Sequence, residues 1–288
     1  MLEDIRPAGL NNATDTQPML SHIALIGPEE RTLLWEQRVL SLIKPDKITL
    51  TDNVRALPAD VEWCVYLPEK AEPVGDLHFL VKQGVHILVL GHPADYLEES
   101  VLLWKSAEET GKEIWFPLWN LFQPGLLSLA ERLQNPHHIL FIRHLSTDVF
   151  DFELRLKYVL VEELLLALTL LNDTFKSLIL QKSSKSILIH VETIAQKPGS
   201  IRLSWDKNMD EIKRYISMDY EGYYSKTIQN EKSTITKDGI VTELPYNELL
   251  PAADLLFLSY VRAVRGLSHR PAFKLYDLFQ HRSILRYI

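Results

Sequence analysis

Four short runs in the first half of the chain are apolar at nearly every position: HIALIG at 22–27, WCVYLP at 63–68, VHILVLG at 85–91 and EIWFPL at 113–118. A strand with one wet face alternates apolar and polar residues, so runs of this kind must be covered on both faces. Helical stretches separate them: PEERTLLWEQRVLSLI, GDLHFLVKQG and ADYLEESVLLWKSAEETG. Apolar strands alternating with helices predict a doubly wound parallel sheet. In the first helix Leu33, Leu34, Gln37, Leu40 and Ile43 recur at helical spacing. Gly84 and Gly111 each follow a helix and precede a strand, the place of a left-handed helix cap.

Beyond Pro124 the texture changes. A helix over GLLSLAERL, a strand ILFIRHL and a buried helix around Leu160 to Leu171 are followed by SILIHVETI, SIRLSWD, KRYISMDY, YYSKTIQN and STITKDGIVTEL. These alternate apolar and polar residues, as in an antiparallel sheet with one solvated face. Ile187, Ile189 and Val191 fall on the face packed beneath it, and Lys237 to Gly239 reads as a hairpin turn. Two helices, ADLLFLSYVRAVRG and KLYDLFQHRSILRYI, close the chain. The expected fold class is α/β, in three parts. Residues 1–20 form a tail, 21–122 a degenerate Rossmann-like parallel-sheet domain, and 123–288 an α+β domain with a large, mostly antiparallel open sheet.

A net charge of −7 over 288 residues, without a Lys/Arg cluster, argues against a nucleic-acid partner. The longest apolar stretch, YVLVEELLLALTLL, is too short for a bilayer and carries Glu162 and Glu163, so no membrane role is expected. The N-terminal residues have no signal-peptide pattern, which predicts a cytoplasmic protein. The single cysteine, Cys64, sits in an apolar run and reads as a buried small hydrophobe. His137 and His138 are adjacent and do not share a face, and there is no HExxH, CxxC, GxSxG or P-loop, so neither a metal nor a nucleophile is indicated.

The order of elements from Ala59 to Leu129 resembles the glucose-fructose oxidoreductase / inositol dehydrogenase (Gfo/Idh/MocA) family. Leu67-Pro68 stands where that family has a Thr-Pro-type turn, Gly91-His92-Pro93 where it has Glu-Lys-Pro, and Trp119 to Pro124 where it has an Asn-Arg-Phe-x-Pro-like turn. The C-terminal half is similar to the family's open sheet, and the resemblance extends over roughly residues 21–288. It implies an NAD(P)-binding domain and a sugar or polyol-like substrate.

The residues depart from that pattern in four places. A GxGxxG turn uses its glycines to turn tightly, to admit the pyrophosphate and to pack helix on strand. Here those positions are Gly27, Glu29 and Thr32, and Glu29 either repels a diphosphate or simply complements the helix dipole. Only about twenty residues separate the first helix from Trp63, so the adenosine-binding βα unit reads as deleted; Asp52 is a candidate ribose acid or a turn residue. The family lysine is replaced by His92, a proton carrier or a loop residue. Its HxxD pair falls on Glu162 and Leu165, with Glu162 and Glu163 otherwise the polar edge of the helix, and its arginine falls on Leu121.

Candidate site residues are therefore His92 and Glu162 for catalysis, Gly27, Pro68 and Pro93 for a cofactor, and Trp119 and Asn120 for a substrate cleft. The losses predict no bound cofactor and a binding or assembly module, a pseudoenzyme; the alternative is an NAD- or NADP-dependent oxidoreductase with a reduced site. A small-molecule ligand and a homo-oligomer formed through the C-terminal sheet are the expected partners.

Overall fold

The computed structural model describes residues 22–69, 74–119, 121, 126, 136–148, 151–207, 214–220, 223–228, 232–237, 240–243, 251–264 and 274–283. The apolar runs form strands β1 (His22–Ile26), β3 (Trp63–Tyr66), β4 (His86–Val89) and the short β5 (Ile114–Trp115). With β2 (Lys47–Thr51) they make one parallel sheet in the order β2-β1-β3-β4-β5. All of β1 and β3 is buried, as fully covered strands require. Helices α1 (Glu29–Leu42), α2 (Gly75–Lys82) and α3 (Ser100–Thr110) provide the crossovers. Gly84 and Gly111 have φ of 80° and 64°, the left-handed geometry expected of them.

β2 corrects the deletion inferred from spacing. The segment after α1 is a strand paired with β1, and only the helix of the next unit is missing: a 3-10 turn at Val54–Ala56 leads to β3. The apolar stripe of α1 is a second correction. Leu33, Leu34 and Leu40 are exposed, whereas Thr32, Trp35 and Val39 are buried. Trp35 meets Phe257 edge-on at 6.0 Å, and Arg38 pairs with Asp254 at 2.8 Å. Burying one indole with its aromatic partner sets the rotation of the helix against the leucines.

The second sheet has eight strands in the order β13-β12-β11-β10-β6-β9-β8-β7. They are β6 (His138–Ser146), β7 (Phe175–Lys182), β8 (Ser186–Thr193), β9 (Pro198–Asp206), β10 (Arg214–Tyr220), β11 (Tyr223–Ile228), β12 (Lys232–Lys237) and β13 (Ile240–Glu243). Every pairing is antiparallel except β6 with β9. β7 was not legible as a strand in the sequence, because Lys176, Ile179 and Gln181 are exposed and only Phe175 is fully buried. Lys237 pairs with Ile240 across the β12–β13 ladder, and Asp238 and Gly239 of the hairpin reading lie outside the described residues.

Helix α4 (Phe152–Leu171) is longer than its apolar run and buries twelve residues, while Ile187, Ile189 and Val191 turn inward at 0–3% exposure. Helix α5 (Ala252–Val264) returns to the first sheet, where Tyr260 meets Trp63 and Trp115 edge-on. Helix α6 (Lys274–Phe279) follows, and Tyr276 stacks on Trp104 of α3. Cys64 is fully buried and its thiol is pushed up by desolvation, so it is inert packing. Among the described residues no helix is long and apolar enough to cross a membrane.

Candidate functional site

Ligands of open parallel sheets bind beyond the carboxyl ends of the strands. His92 lies there, just past β4. It caps the 3-10 turn Pro93–Tyr96, its Nδ1 accepting the Ala94 N–H at 3.1 Å, with Pro93 in the first turn where a missing N–H costs nothing. A nitrogen that accepts carries no proton, so the hydrogen of neutral His92 sits on Nε2. Nε2 faces Glu162 Oε1 at 3.3 Å.

The partner comes from α4, where Tyr158 and Glu162 are one turn apart and share a face. The Tyr158 ring stacks on His92 at 3.8 Å and 8°, and its hydroxyl donates to Asp95 Oδ1 at 2.6 Å. Burial and the Asp95 carboxylate push the Tyr158 phenol up to about 12. Arg143 of β6 completes the cluster: its Nη1 lies 3.4 Å from Glu162 and 3.0 Å from Glu163, which is wholly buried. Glu162 and Glu163 are thus not a polar helix edge. They form a desolvated ion cluster that ties α4 to the second sheet and, through His92, to the first.

Around these groups Pro68, Glu69, Gly91, His92, Asp95, Tyr96 and Tyr158 line a cleft of about 250 Å³. A Cβ on Gly91 would stand 2.8 Å from the Tyr96 ring, so only glycine fits. The structure brings His92, Glu162 and Pro68 to one place. Pro93 supports the turn without lining the cleft, Trp119 is exposed and outside it, and Asn120 lies outside the described residues.

Gly27 is also apart from the cleft. Its φ is 148°, and a Cβ there would collide with the Leu67 carbonyl oxygen, so glycine is demanded by the neighbouring strand. Glu29 and Glu30 are exposed in the first turn of α1, where a diphosphate would need positive potential. Arg31, which follows them, donates to the Pro68 carbonyl. Thr32 fills the third glycine position, buried and bonded to the Glu29 carbonyl. Asp52 is exposed just past β2, next to Thr51, whose carbonyl accepts the Gly27 N–H. A diphosphate in this turn would face two carboxylates, and the cleft is below the 300–1,000 Å³ usual for ligand pockets. These residues do not fit a dinucleotide held in the GxGxxG manner.

Sequence reasoning missed Arg143, Tyr158, Asp95 and the burial of Glu163. A signal existed for Arg143: in β6 it shares the inward parity of Ile139, Phe141 and Leu145, where a charge needs a partner. Among the described residues no group of three or more metal-binding side chains occurs.

No family model matches the chain, and no curated protein matches it in sequence. Solved structures do match. UDP-N-acetylglucosamine 3-dehydrogenase from Acidithiobacillus ferrooxidans superimposes with a TM-score of 0.71 at 14% identity, over 92% of this chain and 96% of that one. A Gfo/Idh/MocA family oxidoreductase from Vibrio cholerae gives 0.66 at 12%, over 93% and 97%. Biliverdin reductase from Synechocystis sp., in complex with biliverdin and NADP+, gives 0.62 at 9%, over 92% and 98%. The parallel sheet with a C-terminal, mostly antiparallel sheet is therefore the fold of the Gfo/Idh/MocA oxidoreductases.

Proposed function

We propose that this chain is a divergent member of the Gfo/Idh/MocA group that works as a binding module, without dehydrogenase chemistry on NAD or NADP. One observation carries the reading: His92, which stands where the family has its lysine, is saturated. Its Nδ1 accepts a backbone N–H, its Nε2 is turned to Glu162, and one ring face is covered by Tyr158. A general base must present a lone pair to its substrate, and this imidazole presents none. The carboxylate that stands for the proton acceptor, Glu162, is held by Arg143. The constellation serves as a clamp between the sheets, and a small polar ligand in the cleft would meet Asp95, Glu69 and the Tyr158 ring.

A second reading has its own support. Asp52 follows β2 beside Gly27, the place of a ribose acid, and the similar structures include a sugar-nucleotide dehydrogenase and a reductase in complex with NADP+. Under that reading the chain is an oxidoreductase acting on a sugar or polyol-like substrate. Calorimetry and thermal shift with NAD(H) and NADP(H) decide between them, because a ligand of the native state must raise its stability. The binding-module reading expects no heat and no shift at millimolar cofactor. Saturable binding that is weakened by Asp52→Ala would overturn it.

A further inference from the structure

The side chains that line the His92 cleft include two carboxylates, Glu69 and Asp95, and no lysine or arginine. Two of the donors in this wall are already spent within it. His92 turns its Nε2 hydrogen to Glu162, and Tyr158 donates its hydroxyl hydrogen to Asp95 Oδ1 at 2.6 Å. What remains is accepting capacity. A carboxylate offers two oxygens and about four lone-pair sites, and Asp95 gives only one of its oxygens to Tyr158. Glu69 makes no hydrogen bond or ion pair among the described residues. Asp95 is half-buried and Glu69 is exposed, so the pair grades from the wall of the cleft toward water.

The surroundings add to the negative charge. Burial is the main reason that the Tyr158 phenol is raised, and the carboxylates of Asp95 and Asp151 contribute to it, so acidic groups act on this wall from both sides of the ring's own helix start. Two cations close by are engaged: Arg31 donates to the Pro68 carbonyl from outside the lining, and Arg143 is shared between Glu162 and Glu163. The same wall has an apolar part. A Cβ on residue 91 would stand 2.8 Å from the Tyr96 ring and 3.0 Å from Pro68 Cγ, so the absence of a side chain at Gly91 is what lets proline and ring converge.

We infer that this cleft takes a primary alkylammonium, whose N–H groups bond Asp95 and Glu69 and whose short stem lies against Pro68 and Tyr96. The inference rests on the binding-module reading and names the ligand class for that same cleft. An ammonium has three donors and no acceptor, the complement of two carboxylates with open lone pairs, and its bonds to them are charge-assisted. A quaternary ammonium needs open aromatic faces, and the Tyr158 ring already has one face on His92. A hard divalent cation asks for six or more oxygen ligands, which two carboxylates do not supply. A volume of about 250 Å³ suits a stem of a few carbons rather than a sugar nucleotide.

The test is calorimetry on the full chain with n-butylammonium, n-butanol, butyrate and magnesium. Butylammonium is expected to bind one per chain, more weakly as salt is raised and at least about tenfold more tightly than butanol, with no heat from butyrate. Asp95→Asn should weaken it about tenfold, and Glu69→Gln about threefold because that group is solvated. The asparagine keeps a carbonyl oxygen for the Tyr158 hydroxyl, so the variant should fold as the parent does, and circular dichroism checks that. Equal binding of butylammonium and butanol, no effect of Asp95→Asn, or displacement of butylammonium by magnesium would each overturn the site. Saturable NAD(H) binding would overturn the binding-module reading and this site with it, whereas silence from butylammonium and cofactor alike would overturn the ammonium site alone.

Discussion

The two ends of the parallel sheet each hold a histidine beside a carboxylate, in contrasting surroundings. At the amino ends of the strands His22 is 2% exposed; its Nδ1 lies 3.0 Å from Asp60, and its Nε2 lies 2.7 Å from the Thr49 hydroxyl. Asp60 is 65% exposed and also near Lys47. At the carboxyl ends His92 and Glu162 are 19% and 22% exposed, and Glu162 shares Arg143 with the fully buried Glu163. In the first pair the imidazole is buried and the charge is left in water. In the second the charges themselves are withdrawn from water and lie where one sheet meets the other. The same two residue types thus make a local pin between β1, β2 and a turn in one place, and in the other a joint whose stability depends on a third residue.

The largest expected effect breaks that joint. Arg143→Met removes the cation from between two carboxylates, leaving Glu163 charged and without solvent, and should cost about 3–5 kcal/mol in urea denaturation. Adding Glu163→Gln should recover much of the loss, because the uncompensated charge then disappears. A cost under about 1 kcal/mol would show that the cluster is not desolvated as described.

His22→Ala comes next. It opens a cavity in the core and removes the partner of Thr49, for a cost of about 2 kcal/mol. His92→Ala should cost less, about 1 kcal/mol, since a half-buried side chain is removed. Its distinctive consequence is faster amide exchange in the Pro93–Tyr96 turn, which loses its cap, while the core strands keep their protection. If His92→Ala instead destabilises the whole molecule more than His22→Ala, the contrast between pin and joint is reversed.

Much of this architecture was legible because backbone pairing and burial leave a period in the sequence. Apolar strands such as Trp63–Tyr66 announce a covered parallel sheet, and the alternation in Ser186–Thr193 announces a sheet with one wet face. Period fails where several faces compete: α1 carries an apolar stripe, yet Trp35 and its contact with Phe257 decide which side is buried, and that partner lies more than 200 residues away. The site was half legible for the same reason. His92 and Glu162 could be located from the order of elements, but Arg143 and Asp95 join them only through tertiary packing, and one residue of the expected cleft, Trp119, is elsewhere.

Tyr158 gives a smaller, pH-dependent test of the joint. Its hydroxyl bond to Asp95 should be worth about 1 kcal/mol, reduced by partial exposure, so Tyr158→Phe should be destabilised by no more than that at neutral pH. The phenol is raised from its ordinary value of 10 to about 12 in the folded chain. A raised value means that the folded state holds its proton longer than the unfolded state does. The contribution is therefore complete below pH 10 and is lost as pH rises from 10 to 12. Stability curves of parent and Tyr158→Phe should converge across that window, and the ultraviolet titration of the parent should show Tyr158 ionising late, alongside the fully buried Tyr260, whose phenol burial also raises.

The smallest effect belongs to Asp60, and it sharpens the comparison from the other side. The His22 imidazole beside it is the main reason its carboxyl is held below the ordinary value, with Lys47 adding a little. For a lowered carboxyl the sign is opposite to that of Tyr158. The contribution is present above the unfolded value, near pH 4, and is lost as pH falls through the folded one. Asp60→Asn should thus leave the melting temperature at pH 7 nearly unchanged, because a solvated carboxylate gains little from an ion pair. It should also flatten the acid side of the stability curve slightly. A large loss at pH 7 would mean that Asp60 is needed to orient His22 toward Thr49, and the amino-end pair would then be as dependent on its charge as the joint at the other end.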